Sequence, residues 1–102
     1  MEIKKSKMTF GEALEALKAG KKVSRAGWNG RGMYLWLLPA VELKKESCRD
    51  ERLLECFGDS ETLWARGSIR MYTHDSTGRN AVLTGWLASQ SDMLLEDWCI
   101  VE

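Results

Sequence analysis

The chain is 102 residues long, the size of one domain, and its 15 Lys/Arg and 15 Asp/Glu residues give a formal net charge of zero. A neutral total argues against a general nucleic-acid binder. A domain of this size leaves little room for an enclosed cavity, so we expect a large ligand to bind on the surface or between subunits. The charge is uneven, because residues 1–39 carry eight basic and three acidic side chains and residues 40–102 carry seven and twelve. This basic first part suits an anionic small molecule, although simple surface solvation explains it equally well.

The cysteines and the histidine give no metal-site pattern. Cys48, Cys56 and Cys99 have no C-x-x-C spacing, and His74 is the single histidine. We therefore expect no metal and no cofactor. The sequence shows no signal peptide and no apolar run near the ~20 residues that a membrane span needs. The expected location is the cytoplasm, with reduced thiols.

The first secure element is a helix after residue 8. Residues 1–8 are polar and form either a loose segment or a short first strand. Thr9 and Glu12 have the spacing of a capping box, and Gly20 is a typical helix end. The apolar residues between them recur at the spacing of one helix face: Phe10, Ala13, Leu14 and Leu17.

A β-hairpin is predicted next, with strands at 21–28 and 33–38. Asn29-Gly30 between them is a strong signal for a two-residue turn, since both residues tolerate positive φ. This turn would place two pairs of residues opposite each other: Trp28 with Arg31, and Arg25 with Tyr34. Pro39 should end the second strand because it has no amide donor.

The rest of the chain predicts an excursion, a second hairpin and a last strand. Residues 40–67 are charged and irregular, with a short helix at about 50–57 that ends at Gly58-Asp59. Strands at 68–73 and 80–85 should turn through 75–78. A helical turn near 92–96 and a strand at 98–101 follow.

The predicted fold is therefore a single α+β domain over residues 1–102. It has a small antiparallel β-sheet of four to five strands, one amphipathic N-terminal helix and a short C-terminal helical turn. One face of such a sheet would be left uncovered by the chain, and partner subunits are the simplest cover.

No set of residues predicts catalysis. His74 lies beside Asp75 in a turn, where a solvated histidine is the default interpretation. Glu96 and Asp97 are adjacent at a helix end and should point apart into solvent. Ser89 and Ser91 have no general base near them in the sequence, so helix capping is their default role. Nucleophile, base and oxyanion donors are not assembled anywhere, which favours a protein that is not an enzyme.

Two tryptophans instead suggest binding. An indole gives a flat face on which a nucleobase can stack, and arginines with glycine-rich backbone suit phosphate oxygens. Trp28 has Arg25, Asn29 and Arg31 beside it, and Trp86 is followed by the polar residues Ser89, Gln90 and Asp92. Core packing and ligand stacking are equally good interpretations of these two rings. Core packing is favoured for the other three tryptophans, Trp36, Trp64 and Trp98.

Two stretches of the sequence resemble a family of small phage and prophage proteins. They are M-T-F-G-E-A-L-E-A-L-K-A-G-K-K-V-S-R-A-G-W-N-G-R-G-M-Y-L-W-L, and G-W-L-A-S-Q-S-D-M-L-L-E-D-W-C-I-V near the end of the chain. Together they resemble the second described type of Thoeris anti-defence protein, over about two thirds of the chain. Residues 40–67 depart from the family, in which many members have a Pro- and Gly-rich loop there.

The resemblance implies a binding protein. Such proteins sequester a cyclic nucleotide immune signal, glycocyclic ADP-ribose, which a bacterial TIR-domain sensor makes, and so block Thoeris defence in the host cytoplasm. Some members also hold cyclic dinucleotides at a separate site. The family implies a homotetramer, a dimer of dimers, with ligand pockets at subunit interfaces. It places six residues at the pocket: Trp28, Asn29, Trp86, Ser89, Gln90 and Asp92. Arg25 is added because of its charge.

A cyclic-nucleotide-cleaving enzyme and a phage assembly or host-interaction protein without a nucleotide ligand are the alternatives.

Overall fold

A computed structural model describes residues 2–28 and 32–102 of the chain. Within these ranges the chain forms eight strands, three α-helices and one short 3₁₀ helix at Lys45–Ser47. The strands are β1 (Ile3–Met8), β2 (Lys22–Arg25), β3 (Tyr34–Leu38), β4 (Val41–Lys44), β5 (Thr62–Ala65), β6 (Ser68–His74), β7 (Asn80–Leu83) and β8 (Trp98–Val101). The helices are α1 (Phe10–Lys18), α2 (Glu51–Phe57) and α3 (Gln90–Leu94).

Six of the strands form one antiparallel sheet in the order β1-β8-β2-β3-β6-β7, and β4 pairs with β5 in a separate two-stranded sheet. The predicted α+β class is confirmed, but the main sheet is larger than the predicted four to five strands. The polar N-terminal segment supplies the additional strand, β1, which pairs Ile3 with Val101 and Met8 with Trp98. Its exposed lysines suit an edge strand, because charge discourages further strand pairing.

The predicted capping box begins α1. The Thr9 hydroxyl accepts a hydrogen bond from the Glu12 amide at 3.1 Å, and the Thr9 amide donates to the Glu12 carboxylate at 3.0 Å. The buried side of α1 then packs on one face of the sheet. The fully buried core of the domain consists of Met8, Ala13, Ala16, Leu17, Val23, Leu35, Met71 and Trp98.

The connection between β2 and β3 differs from the predicted hairpin. β2 ends at Arg25, three residues earlier than expected, and Val23 pairs with Leu35. The predicted pairing of Arg25 with Tyr34 would require Val23 to face Trp36, so the predicted register is wrong by one residue. Burial explains the choice, because this register places fully buried Leu35 on the core face. The predicted Asn29-Gly30 turn and Arg31 lie outside the described residues.

Residues 40–66 form an excursion that we call the arm. The predicted helix is present as α2, with Asp50 accepting hydrogen bonds from the amides of its first turn and Gly58 following it at a φ of 56°. Strands β4 and β5 of the arm were not predicted. They continue the ladder of β3 and β6, because Leu38 pairs with Ser68 and Val41 pairs with Ala65 in the same register.

The arm makes the molecule elongated. The radius of gyration is 16.3 Å and the principal extents are 48 × 33 × 25 Å, whereas a compact chain of this length has a radius of gyration near ~13 Å. The buried side chain of the arm, Phe57, lies apart from the domain core. The arm is thus an extension of one hairpin rather than a layer of the sheet.

The C-terminal part of the chain follows the prediction closely. Strands β6 and β7 form the second hairpin, whose turn is closed by Asp75, and β8 is the last strand. The Asp75 carboxylate accepts hydrogen bonds from Thr77 and Arg79, which lower its pKa to about 2. Helix α3 begins two residues earlier than predicted. Among the described residues, no helix has the length and apolar character to cross a membrane.

Candidate functional site

Four aromatic rings meet where α1, α3 and the end of β2 come together. We call Phe10, Trp28, Trp86 and Trp98 the aromatic cluster. Trp98 lies at its centre and is completely buried. The ring centroids of Trp28 and Trp98 are 5.4 Å apart with an interplanar angle of 79°, and those of Trp86 and Trp98 are 6.1 Å apart at 85°. These edge-to-face contacts are favourable for aromatic pairs.

Trp28 and Trp86 form the outer part of this cluster. Both are half-buried, and their centroids are 6.3 Å apart with an interplanar angle of 64°. The two interpretations of these residues are therefore not exclusive, because each packs against the core and keeps part of its surface exposed.

Hydrogen bonds fix two of the indoles from inside. Trp28 Nε1 donates to Asp92 Oδ1 at 3.1 Å, and Trp98 Nε1 donates to the Asp92 carbonyl oxygen at 2.8 Å. Asp92 is itself buried, with 6% of its surface exposed. One residue of α3 thus orients the central ring and one of the outer rings.

Arg25 forms a buried ion-pair network with two aspartates. Its Nη1 donates to Asp92 Oδ1 at 2.6 Å, while Nε and Nη2 donate to the two carboxylate oxygens of Asp97 at 2.8 and 3.1 Å. Only 7% of the Arg25 side chain is exposed. The guanidinium therefore faces two carboxylates inside the protein and presents little of its charge to the surface.

The network keeps its members ionised. Hydrogen bonds from Arg25 hold the pKa of Asp97 below its usual value, despite partial burial. Burial opposes ionisation of Asp92, but hydrogen bonds from the Ser89 amide, Arg25 and Trp28 outweigh it and lower its pKa. Hydrogen bonds to Asp97 and Asp92 raise the pKa of Arg25 above its already high value. All three charges are present at neutral pH.

Ser89 and Gln90 lie at the start of α3, next to the network. Ser89 caps the helix, because its hydroxyl accepts from the Asp92 amide at 3.1 Å and its own amide donates to Asp92 Oδ2 at 2.8 Å. This confirms the capping role expected from the sequence. Gln90 is exposed on the first turn.

The structure thus brings five of the predicted site residues together, with Gln90 beside them. The five are Arg25, Trp28, Trp86, Ser89 and Asp92. Asn29 lies outside the described residues. Of the five, Arg25 and Asp92 are buried and bonded to other side chains, whereas Trp28 and Trp86 are only half-buried.

Asp97 is the residue at this site that the sequence interpretation missed. It was expected to be a solvated helix-end carboxylate, which is wrong, since it pairs with Arg25 and accepts a hydrogen bond from the Gly27 amide at 3.1 Å. Arg25 and Asp97 are 72 positions apart, so no local pattern could reveal the pair. The available signal was the position of Asp97, directly before a strand predicted to lie in the sheet.

The remaining candidates lie elsewhere. His74 is exposed at the end of β6, with Nε2 3.4 Å from the Tyr72 hydroxyl. Within residues 2–28 and 32–102, no group of three His, Cys, Asp or Glu side chains could hold a metal ion. Trp64 was expected in the core, but it is 63% exposed on the arm, and Trp36 is half-buried on the sheet face opposite α1.

Two open depressions, of about 250 and 260 Å³, lie on the arm rather than at the aromatic cluster. Ligand pockets for drug-sized molecules usually enclose ~300–1,000 Å³. The arm depressions are smaller than that; the first has a mostly apolar lining, and the second is lined mainly by charged side chains. We therefore base the candidate site on the hydrogen-bonded aromatic cluster, which has rigid ring surfaces, and not on the arm.

Comparison with known proteins gives a consistent result. A family model described as the Thoeris anti-defense 2-like domain matches residues 8–101, which include the whole aromatic cluster and its ion-pair network. The chain is also similar to the curated protein Thoeris anti-defense 2 of Bacillus phage SP01, at 39% identity over 97 residues that cover 95% of this chain and 98% of the phage protein. Neither description names an enzyme, which supports a non-enzymatic anti-defence role. The chain therefore belongs to the Thoeris anti-defense 2-like family.

Proposed function

We propose that this anti-defence protein acts by binding and sequestering a cyclic nucleotide immune signal. The ligand we propose is glycocyclic ADP-ribose, held without cleavage, so that Thoeris defence in the host cytoplasm is not switched on. Cyclic dinucleotides are a second class of candidate ligand. The observation that carries the proposal is the pair of half-buried indoles, Trp28 and Trp86, fixed from below by Trp98 and Asp92.

Rigid indoles suit a stacking site. Base stacking on an aromatic side chain contributes about 1–3 kcal/mol per base. The hydrogen bond from Trp28 to Asp92 and the edge contact with Trp98 limit the orientations of the ring before a ligand arrives. A ring that is already ordered loses less conformational entropy on binding, and this favours affinity.

Stacking alone does not account for a sequestering protein. A nanomolar Kd corresponds to about −12 kcal/mol, so contacts to the ligand phosphates must add to the stacking. Arg25 is engaged by Asp92 and Asp97, and we propose that it and Asp92 position the site rather than neutralise the ligand. Phosphate contacts would then come from Arg31, from the Asn29 segment and from a second subunit, while Ser89 and Gln90 face the ribose or base edge.

Two apolar surfaces support the proposed homotetramer. The first adjoins the site at α3, where Leu87 is 89% exposed and Leu94 is 73% exposed. The second is the sheet face opposite α1, where half-buried aromatic residues of β3 and β6 adjoin and Lys22 lies over the Tyr34 ring. A dimer of dimers needs two distinct self-complementary interfaces on each subunit. Light scattering of the native protein measures this directly, and a monomeric mass would contradict it.

Incubation with glycocyclic ADP-ribose tests the function. Calorimetry should show tight binding, and heat denaturation of the complex should release the intact ligand. Binding should also raise the melting temperature, because a ligand that binds only the folded state stabilises it. Release of a cleaved product would support the alternative of a cyclic-nucleotide-cleaving enzyme. No binding and no melting shift with any cyclic nucleotide would support a host-interaction protein without a nucleotide ligand.

Substitution of the stacking ring tests the site. Trp28→Ala should weaken binding by at least about tenfold, or ~1.4 kcal/mol. Trp28→Phe keeps a ring and should lose less affinity. Trp64→Ala is the matched control, because it removes the same side chain from the exposed arm. Unchanged affinity in Trp28→Ala with a large loss of stability would assign the ring to the core alone.

A further inference from the structure

The segment that follows β2 is hydrogen-bonded to a single residue, Asp97. Arg25 ends β2 and donates two hydrogen bonds to the Asp97 side chain. The amides of the next two residues also point to Asp97. The Ala26 amide donates to its carbonyl oxygen at 3.0 Å, and the Gly27 amide donates to Oδ2 at 3.1 Å. Three consecutive residues are therefore tied to Asp97 immediately before Trp28.

Gly27 shows how closely the backbone approaches this carboxylate. A Cβ atom at position 27 would lie 2.7 Å from Asp97 Oδ2 and 3.3 Å from Arg25 Nη2. The first distance is too short for a carbon atom beside an oxygen. A side chain at position 27 would therefore require the Asp97 carboxylate to move.

The ion-pair network also connects Asp97 to the Trp28 indole through a chain of hydrogen bonds. Asp97 orients the Arg25 guanidinium, Arg25 Nη1 donates to Asp92 Oδ1, and the same Asp92 oxygen accepts from Trp28 Nε1. Both ends of the Trp28 residue are thus restrained, the backbone through Gly27 and the ring through Asp92. Removing one member of such a buried network leaves its partners without their hydrogen bonds, and this is costly in free energy.

We infer that Asp97 is a positioning residue of the ligand site, which sets the path of the chain into Trp28 and the orientation of its indole. This inference rests on the proposed function. We infer no direct contact between Asp97 and the ligand. Its carboxylate instead preorganises the ring on which the ligand stacks, and the benefit appears as affinity. Asp97 belongs to none of the residue sets that the family resemblance places at the pocket.

Two variants separate this role from general stability. Asp97→Asn keeps the size of the side chain but removes the charge and one acceptor oxygen. Gly27→Ala keeps all three charged residues but forces the carboxylate out of its place. Asp75→Asn is the control, because it removes a comparable hydrogen-bonded carboxylate from the β6–β7 turn.

The readouts are affinity for glycocyclic ADP-ribose by calorimetry and the indole N–H resonances by ¹⁵N NMR. We expect both Asp97→Asn and Gly27→Ala to weaken binding by about tenfold, or ~1.4 kcal/mol, and to shift or broaden the Trp28 resonance. The Trp64 resonance serves as an internal reference, because this ring is 63% exposed on the arm and belongs to neither the aromatic cluster nor the ion-pair network. Asp75→Asn should change neither quantity.

Two results would overturn the inference. In the first, both variants keep an unchanged Trp28 resonance. In the second, the Trp28 and Trp64 resonances shift equally while the melting temperature falls, which is a general loss of structure. A wild-type protein that binds no cyclic nucleotide would instead refute the proposed function, and the resonances would still decide whether Asp97 positions Trp28.

Discussion

The aromatic cluster and the arm use tryptophan and charge in opposite ways. In the cluster, Trp98 is completely buried. Beside it, Asp92 of α3 accepts hydrogen bonds from Arg25 and Trp28 and from Trp98, and so joins three parts of the chain. On the arm, Trp64 is 63% exposed, and the Arg52–Glu55 ion pair joins residues one turn apart on α2, with both side chains exposed. Removing one member of a buried ion pair costs far more stability than breaking an exposed local pair, because it leaves an uncompensated charge inside the protein. The difference predicts that stability and ligand binding both depend on the cluster.

The largest expected effect is the loss of the central ring. Trp98→Ala should lower the free energy of unfolding by about 3–5 kcal/mol, the usual range for removing a buried aromatic side chain. Trp64→Ala should change it by less than about 0.5 kcal/mol, since the ring is on the surface. Urea denaturation of both variants measures the contrast. Equal losses at the two positions would show that the arm is as important to the fold as the cluster.

The second largest effect should be the loss of stability at low pH, through the two aspartates of the ion-pair network. Asp92 and Asp97 have pKa values below their usual range in the folded protein, for which the hydrogen bonds from Arg25 are a shared cause. Each contributes stability above the unfolded pKa of about 3.9, and this contribution is lost as pH falls through the lower folded value. The free energy of unfolding should therefore fall as the pH is lowered below about 5.

The contrast between two variants sharpens this prediction. Asp97→Asn should make the acid dependence shallower, because one of the coupled carboxylates is gone. Glu55→Gln on the arm should leave the dependence as in the wild type, because its ion pair is exposed. Chemical denaturation at a series of pH values measures both slopes. A steeper dependence in Asp97→Asn would contradict the assignment.

Removal of the arm should have the smallest effect. Leu38 and Ser68 are paired directly at its base, so Asn-Gly in place of residues 39–67 would close β3 and β6 with a two-residue turn. The melting temperature should change by less than about 5 °C, which corresponds to roughly 1 kcal/mol in a small domain. Affinity for glycocyclic ADP-ribose in this variant shows whether the arm also contributes to the site. A chain that fails to fold would make the arm part of the core.

Local signals in the sequence predicted the parts of the fold that depend on local contacts. The Thr9–Glu12 capping box marked the start of α1, Pro39 marked the end of β3, and residues 75–78 marked the second hairpin turn. In each case the decisive hydrogen bonds or backbone restrictions involve residues within a few positions of one another. Ser89 as the cap of α3 belongs to the same class.

Long-range contacts decided the features that the sequence left open or that were missed. Strand β1 is polar and is held by its pairing with β8 at the other end of the chain. The register of β2 and β3 follows from the burial of Leu35, which no turn signal reports. The role of Asp97 depends on Arg25, far away in sequence. The candidate site, Asp92 and Arg25 included, was predicted from the sequence and its family resemblance, whereas the contacts by which Asp92, Arg25 and Asp97 hold the rings became visible only in the fold.

The unbroken register between the β3–β6 and β4–β5 ladders has one further consequence. Deleting or inserting one residue on each strand, opposite each other, would retract or advance α2 by about 3.3 Å per pair. Such paired changes leave the main sheet in register, whereas a change on one strand alone would turn its side chains to the wrong face. Length variants of this chain should therefore tolerate matched changes and reject single ones, so the length of the arm can be changed without disturbing the candidate site.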